Sequence, residues 1–105
     1  MESLRQDVRS RMVRAFKKFG FFIFHKELYS EVSKVIKESN LWQVVKIKSL
    51  GKGYFLVEPD ERLYLAECRD MCIKNGIEDE TCIAKCEVER REAVLKEVIS
   101  KLVGE

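Results

Sequence analysis

The first part of the chain has apolar residues spaced about four apart. In SLRQDVRSRMVRAFKKF this spacing places the apolar residues on one side of a helix. That stripe consists of Leu4, Val8, Met12, Phe16 and Phe19. Gly20 is expected to end the helix, and the FFIF that follows is too short and too apolar for anything but a buried strand. The pattern therefore predicts a helix followed by a strand.

The helical pattern returns in KELYSEVSKVIKES and is followed by two runs typical of strands. This second helix is expected to end at Asn40, and its apolar residues are Leu28, Val32, Val35 and Ile36. The runs LWQVVKIK and YFLVE are rich in β-branched and aromatic residues, and SLGKG separates them. The glycines suit positions with positive φ, so the two runs are predicted to form a β-hairpin that ends at Pro59.

Two further helices complete the predicted fold. Asp60 is expected to cap a third helix that runs through the first pair of cysteines, and a fourth helix extends from about Asp79 to Val103. The predicted class is α+β in the order αβαββαα. It has an N-terminal helix, a crossover helix, a small sheet of about three strands and a C-terminal helical hairpin. The length suits a single domain over residues 1–105.

Four cysteines lie in ECRDMCIKNGIEDETCIAKCE, two on each side of a turn at Gly76. Residues four apart lie one above the other on a helix, so each pair lines one face of its own helix. In an antiparallel hairpin the inner cysteines face each other, and so do the outer ones. Geometry therefore favours nested disulfides that join Cys72 to Cys82 and Cys68 to Cys86.

The cysteine spacing resembles the twin CX3C pattern of the small mitochondrial intermembrane-space chaperones, whose helical hairpins carry nested disulfides. The resemblance covers about a fifth of the chain and implies the bridge geometry alone, since those chaperones are essentially all helix. Two other interpretations of the four thiols remain open. They are a zinc or iron-sulfur site built from all four thiolates, and buried thiols without a chemical role. The disulfide interpretation involves no metal and no cofactor.

Composition bears on the compartment and the source. The longest apolar run, FGFFIF, is too short to span a bilayer, and the N-terminus alternates charged with apolar residues where a secretory signal needs an apolar segment. We therefore expect a cytoplasmic protein that is not inserted in a membrane. Intracellular disulfides and a charge-rich composition are typical of hyperthermophiles, which favours a hyperthermophilic archaeon or its virus. A secreted protein without its signal is the alternative.

Charge is divided unevenly along the chain. Residues 1–59 contain twelve Lys and Arg against six Asp and Glu, whereas residues 60–105 contain eight against twelve. The basic residues of the first helix lie opposite its apolar stripe, and those of the hairpin lie near Trp42, Tyr54 and Phe55. Basic residues next to exposed aromatic rings suit a phosphate backbone and stacked bases. The candidate nucleic-acid-binding residues are Arg11, Arg14, Lys17, Lys18, Lys46, Lys48 and Lys52.

The basic β-hairpin resembles the wing of winged-helix proteins, which implies contact with nucleic acid. A winged helix has three helices before its wing, whereas this sequence predicts two, so the resemblance is confined to the hairpin. A charge run is also common on a solvated surface without a ligand.

The last helix carries apolar residues on two sides. Its cysteine side faces the third helix, and a longer stripe on the other side contains Ala84, Val88, Leu95, Val98 and Leu102. This stripe resembles a short coiled-coil seam and predicts a homodimer whose interface includes Leu95, Val98 and Leu102. Packing of the stripe on the chain's own sheet is the alternative.

No catalytic signature accompanies these features. The single histidine, His25, follows the apolar strand and has no nucleophile beside it in sequence, and Glu58 with Asp60 only faintly resembles a nuclease carboxylate pair. We expect a protein that is not an enzyme. The first hypothesis is a small nucleic-acid-binding protein that uses the first helix and the hairpin. The alternative is a protein-interaction module, such as an inhibitor or assembly subunit, that acts through the C-terminal helices.

Overall fold

The helices and strands predicted from the sequence follow one another in the predicted order. The protein is described from a computed structural model, which describes the backbone of residues 2–104 and the side chains of residues 7–104. The elements are α1 (Glu2–Lys18), β1 (Phe22–His25), α2 (Tyr29–Glu38), β2 (Val45–Gly51), β3 (Tyr54–Pro59), α3 (Leu65–Met71), β4 (Ile73–Lys74), β5 (Ile77–Glu78) and α4 (Glu80–Val103). The α+β class is confirmed. The short β4–β5 hairpin is an addition that the sequence did not predict.

β1, β2 and β3 form an antiparallel sheet in the order β1-β3-β2. Side chains alternate between its faces, so Phe22, Phe24 and Val57 point inward and are buried. Ile23 lies on the outer face, where 47% of it is exposed. The β2–β3 turn has positive φ at Lys52 as well as at its glycines, which suits the tight hairpin predicted from SLGKG.

The core forms around the apolar stripe of α1. Val8, Met12 and Phe16 are buried, and α1 packs against both α2 and α4. The side chain of Leu4, the first residue of the predicted stripe, lies outside the described residues. Phe19 is 60% exposed, contrary to the prediction. The helix ends at Lys18, and the left-handed turn at Gly20 leads the chain away before Phe19 reaches the core.

Two predicted boundaries are wrong, both next to short 3-10 turns. Leu41–Gln43 is a 3-10 turn instead of the start of β2, because Asn40 adopts a left-handed conformation and the chain turns so that Leu41 enters the core. Asp60 caps a 3-10 turn, Glu61–Leu63, and α3 starts only at Leu65. In both places a 3-10 turn occupies residues that were predicted to belong to β2 or α3, so the strand or helix starts later in the chain.

Arg9 connects three helices. Its Nη1 donates hydrogen bonds to Ser39 Oγ at 2.7 Å and to the Leu102 carbonyl at 2.8 Å, and its Nη2 lies 3.4 Å from Glu38 Oε2. The acceptors belong to the C-terminal ends of α2 and α4, where carbonyl groups lack partners within the helix and the helix dipole is negative. One guanidinium therefore holds both helix ends against the middle of α1.

The two disulfides are the predicted ones. Cys68 is bonded to Cys86 and Cys72 to Cys82, with Cα–Cα distances of 5.7 and 5.6 Å. They join α3 to the first half of α4, and β4 and β5 turn the chain between them through Asn75 and Gly76. We call residues 65–91 the arm and the rest of the chain the body.

The arm has almost no apolar interior. Between residues 65 and 97 the only buried residues are Cys68 and Cys72. Met71 and Ile77 are 62% and 72% exposed. Because so little apolar surface is buried there, the half-cystines themselves form the interior of the arm, and the bridges hold α3 in place.

The second half of α4 belongs to the body. Val98 and Leu102 are buried against the core around α1, and Leu95 packs against Gly20. Val98 and Leu102 are therefore not on a surface that a second copy can reach, which corrects their assignment to a dimer interface. The second half of the stripe, from Leu95 to Leu102, packs within its own chain, chiefly on α1 and less on the sheet, whereas Val88 in its first half is 58% exposed. Neither α4 nor any other helix in the described part of the chain is long and apolar enough to cross a membrane.

Replacing Arg9 should destabilise the body. Arg9→Met removes two hydrogen bonds from a charged donor and leaves the Leu102 carbonyl without its partner, so the free energy of unfolding should fall by about 1–3 kcal/mol. Urea denaturation followed by circular dichroism measures this. Arg14→Met on the exposed side of the same helix is the matched control and should change stability by less than about 0.5 kcal/mol. Equal effects of the two variants would contradict the role of Arg9.

Reduction should unfold the arm and leave the body folded. A bridge that closes a loop of this size contributes about 3 kcal/mol in the chain-entropy model, and little else holds α3. After treatment with a reductant, hydrogen exchange should accelerate at the amides of α3, β4 and β5. The amides of α1, α2 and the three-stranded sheet should keep their protection. Loss of protection in both parts would show that the body depends on the arm.

Candidate nucleic-acid interface

Four of the candidate basic residues lie on the exposed side of α1. Arg11, Arg14, Lys17 and Lys18 are all exposed, because the opposite side of the helix is packed into the core. Within the described residues none of the four forms an ion pair with an acidic side chain. We call these four residues the basic face. Its charges are available to a negatively charged ligand.

A groove lies beside the basic face, between α1 and β1. Its volume is about 440 Å³, and both charged and apolar side chains line it. The lining residues are Arg11, Arg14, Ala15, Lys18, Phe19, Phe21, Phe22 and Ile23. Three members of the basic face therefore adjoin an apolar surface that remains open to solvent.

Phe19 and Lys18 form one side of this groove. The Lys18 ammonium lies 5.3 Å from the centroid of the Phe19 ring, within the range of a cation–π contact. The ring of Phe21 follows at a centroid distance of 6.0 Å. The groove therefore presents aromatic carbon and positive charge next to each other, which suits a ligand that is both planar and anionic.

Alternation along β1 is the signal that would have revealed this groove. The apolar run FFIF predicts a wholly buried strand. A strand that alternates, with Phe22 and Phe24 inward, must place Ile23 outward. The exposure of Phe19 depends on the exact end of α1 and had no comparable signal.

The hairpin lysines are positioned differently from the basic face. The Lys46 ammonium lies 2.7 Å from Glu61 and 3.8 Å from Glu58, and the Lys48 ammonium lies 3.1 Å from Glu58. The hydrogen bond to Glu61 raises the pKa of Lys46 and lowers the pKa of Glu61. Acidic neighbours therefore already balance these two lysines. Lys52 at the hairpin turn is exposed and has no ion pair within the described residues.

The three aromatic residues expected near the hairpin are not equivalent. Trp42 and Tyr54 are 50% and 48% exposed, as a stacking surface requires. Phe55 is not freely exposed. It is half-buried on the inner face of the sheet and stacks on Phe24 with ring centroids 5.5 Å apart. Trp42 and Tyr54 are the exposed rings of this region.

The acidic residues around Pro59 take part in ion pairs. Asp60 is buried, the Arg62 Nε–H is shared between its two carboxylate oxygens, and Nη2 donates to Oδ2 at 2.7 Å. The carboxylate also accepts from the Arg62 backbone N–H. Nowhere in the described part of the chain do three or more His, Cys, Asp or Glu side chains lie close enough to hold a metal ion. His25 lies at the end of β1, and its Nδ1 accepts from the Glu27 N–H at 3.4 Å.

The Asp60 carboxylate should make stability depend on pH in the acid range. Its hydrogen bonds from Arg62 hold the pKa of Asp60 below the usual value. A lowered folded-state pKa stabilises the fold above the unfolded-state pKa, near 4, and the contribution disappears as pH falls through the folded-state value. Asp60→Asn should therefore cost about 1–3 kcal/mol at pH 7 and distinctly less at pH 2–3.

Urea denaturation at both pH values measures this difference. Asp70→Asn, on the exposed surface of α3, is the matched control and should change stability little at either pH. A cost of Asp60→Asn that does not change with pH would contradict the stabilising role of the ionised carboxylate.

Comparison with known proteins does not assign a function to the basic face or the groove. The chain matches no protein-family model, no curated protein and no solved structure at a significant level. The arrangement of the side chains is therefore the evidence on function.

Proposed function

We propose that the protein binds nucleic acid through the basic face of α1 and has no enzymatic activity. The observation that carries this proposal is that four neighbouring cationic side chains are exposed and have no acidic partner among the described residues. Lys and Arg that contact phosphates release condensed counterions, which supplies most of the affinity of non-specific binding. Such a surface favours a polyanion over a neutral ligand.

The β2–β3 hairpin contributes less to the proposed binding surface than its lysines suggest in the sequence. Because Lys46 and Lys48 are paired with Glu58 and Glu61, binding a phosphate there would require breaking ion pairs. Lys52 at the turn remains available. The proposed footprint is therefore the basic face, with Lys52 as an outlying contact.

Contact with the nucleic-acid backbone suits this architecture better than reading of base pairs. A helix-turn-helix places a recognition helix in the major groove. Here the segment between α2 and β2 contains only the three-residue turn Leu41–Gln43. We therefore propose binding with little sequence preference.

The source and compartment are proposed on the same basis as before. The two disulfides and a composition with 36% charged residues support a hyperthermophilic archaeon, or a virus of one, as the source, and in such an organism disulfides are compatible with the proposed cytoplasmic location.

A protein-interaction module is the second candidate. It is favoured by the exposed apolar residues of the arm, since surface patches of this kind often mark contacts with other proteins. They are Met71, Ile73, Ile77 and Val88. In this alternative the arm makes the contact, either with a protein partner or in a homodimer.

Reversing charge on the basic face should weaken binding and reduce its dependence on salt. Each phosphate contact contributes about −0.9 to the slope of log affinity against log salt on duplex DNA. Arg14→Glu with Lys18→Glu should therefore lower affinity for every sequence alike and reduce the slope by about two contacts. Fluorescence anisotropy with labelled random-sequence DNA at several salt concentrations measures both quantities.

Lys74→Glu with Lys85→Glu makes the same change of net charge in the arm and is the matched control. It should change binding little. The proposal fails if the wild type binds neither duplex nor single strands at roughly 50 mM salt, where basic patches normally bind. Equal weakening by both double variants would show that net charge acts without a defined site.

A further inference from the structure

We propose that the groove between α1 and β1 accepts unpaired bases, so that the ligand is single-stranded nucleic acid. This inference rests on the proposed function and specifies its ligand. The choice of a single strand depends on the groove and the strand edge beside the basic face, because the basic face alone would suit duplex and single strands equally.

The exposed apolar surface of the groove is the first observation. Phe19 is 60% exposed and Ile23 47%, and Phe21 is half-buried between them in sequence. A duplex presents sugar and phosphate to a protein surface and keeps the faces of its bases stacked inside. A single strand exposes those faces, and every base can stack on an aromatic ring. The apolar lining is therefore useful to a single strand and of little use to a duplex.

The position of the charges relative to the rings is the second observation. Arg11, Arg14 and Lys18 line the same groove, and seven residues of helix span about 10 Å. The Lys18 ammonium already lies 5.3 Å from the Phe19 ring centroid. A base stacked on Phe19 would thus have cationic groups close enough to meet the phosphates on either side of it.

The open edge of β1 is the third observation. The Lys26 N–H donates to the Gly53 carbonyl at 2.7 Å, so in this antiparallel pair the peptide groups of Phe24 also face β3. The N–H and C=O of Ile23 and the N–H of His25 face away from β3 and have no backbone partner within the described residues, whereas the His25 carbonyl is the N-cap acceptor of the 3-10 turn Lys26–Leu28. The Ile23 N–H and C=O and the His25 N–H can bond to the Watson–Crick edge of a base, which only an unpaired base exposes.

The two edges of the sheet differ in a way that supports a ligand at β1. β2 carries Lys46 and Lys48 and has a register shift between Ser49 and Gly51. Charged residues and irregular register are common protections of an edge against pairing. β1 has no Lys, Arg, Asp or Glu and no such shift. Its edge is unprotected and lies beside the groove.

A second copy is a poor occupant of this groove. Pairing β1 with its counterpart would involve four residues of each strand and would bring two basic faces together, and like charges across an interface are unfavourable. A strand of an acidic protein would suit the charge, so the experiment includes a probe for it.

The test compares ligands that differ only in their bases. The wild type should bind a labelled oligothymidylate of roughly 20 nucleotides more tightly than an abasic oligomer of the same length or a random duplex. Phe19→Ala should weaken binding of the oligothymidylate between about fivefold and a hundredfold, the range for loss of one stacked base. It should leave the abasic oligomer and the duplex unaffected. Arg14→Glu should weaken all three.

A rescue variant separates stacking from a folding defect. Phe19→Trp in a Trp42→Phe background should restore affinity, and its tryptophan fluorescence should be quenched by the oligothymidylate and not by the abasic oligomer. Phe19 is largely exposed, so circular dichroism should show both variants to be folded.

Each contrary outcome points to a different error. Equal binding of the oligothymidylate, the abasic oligomer and the duplex would overturn this inference and leave the proposed function standing. Competition by polyglutamate as strong as that by the oligothymidylate would assign the groove to an acidic protein strand and overturn the inference. Failure to bind any of the nucleic acids would overturn the proposed function itself.

Discussion

Burial of the apolar stripe of α1 fixes the rest of the molecule. Val8, Met12 and Phe16 pack between α2 and α4, so the opposite side of the helix must face water. That opposite side carries the basic face. The packing that forms the core therefore also orients the charges, and Arg9 at its edge holds the ends of α2 and α4 against the same helix. Core packing and the proposed binding surface are two sides of one helix.

The body and the arm are stabilised by different means. The body buries large aliphatic and aromatic side chains, whereas the interior of the arm consists of half-cystines with little apolar surface around them. A small segment that cannot build a core commonly relies on disulfides. α4 belongs to both parts, since its first half carries Cys82 and Cys86 and its second half carries Val98 and Leu102. Because α4 is one continuous helix, the packing of its second half in the core also fixes where the arm lies.

Local ion pairs divide the basic residues into two groups. Those on the sheet are balanced by acidic residues across the strands and at the turn after β3, as Lys46 is by Glu58 and Glu61. The four residues of the basic face on α1 have no acidic neighbour of this kind in the described part of the chain, whereas Arg9 on the same helix lies next to Glu38. The difference cannot be recognised from net charge, because both groups belong to the same basic half of the sequence. It makes α1 the more suitable surface for a polyanion.

The sequence by itself determined the features that depend on neighbours in the chain. Spacing within one element or one hairpin was enough to predict three features. They are the apolar stripe of α1, the β2–β3 turn at its glycines, and the nested bridges of Cys68 and Cys72. The tertiary structure decided the rest. It set the burial of Val98 and Leu102 within their own chain, the pairing of Lys46 with Glu61, and the groove that Phe19 and Ile23 line with α1. These features join residues from different elements, and a periodic pattern indicates which face of an element is apolar without specifying what covers it.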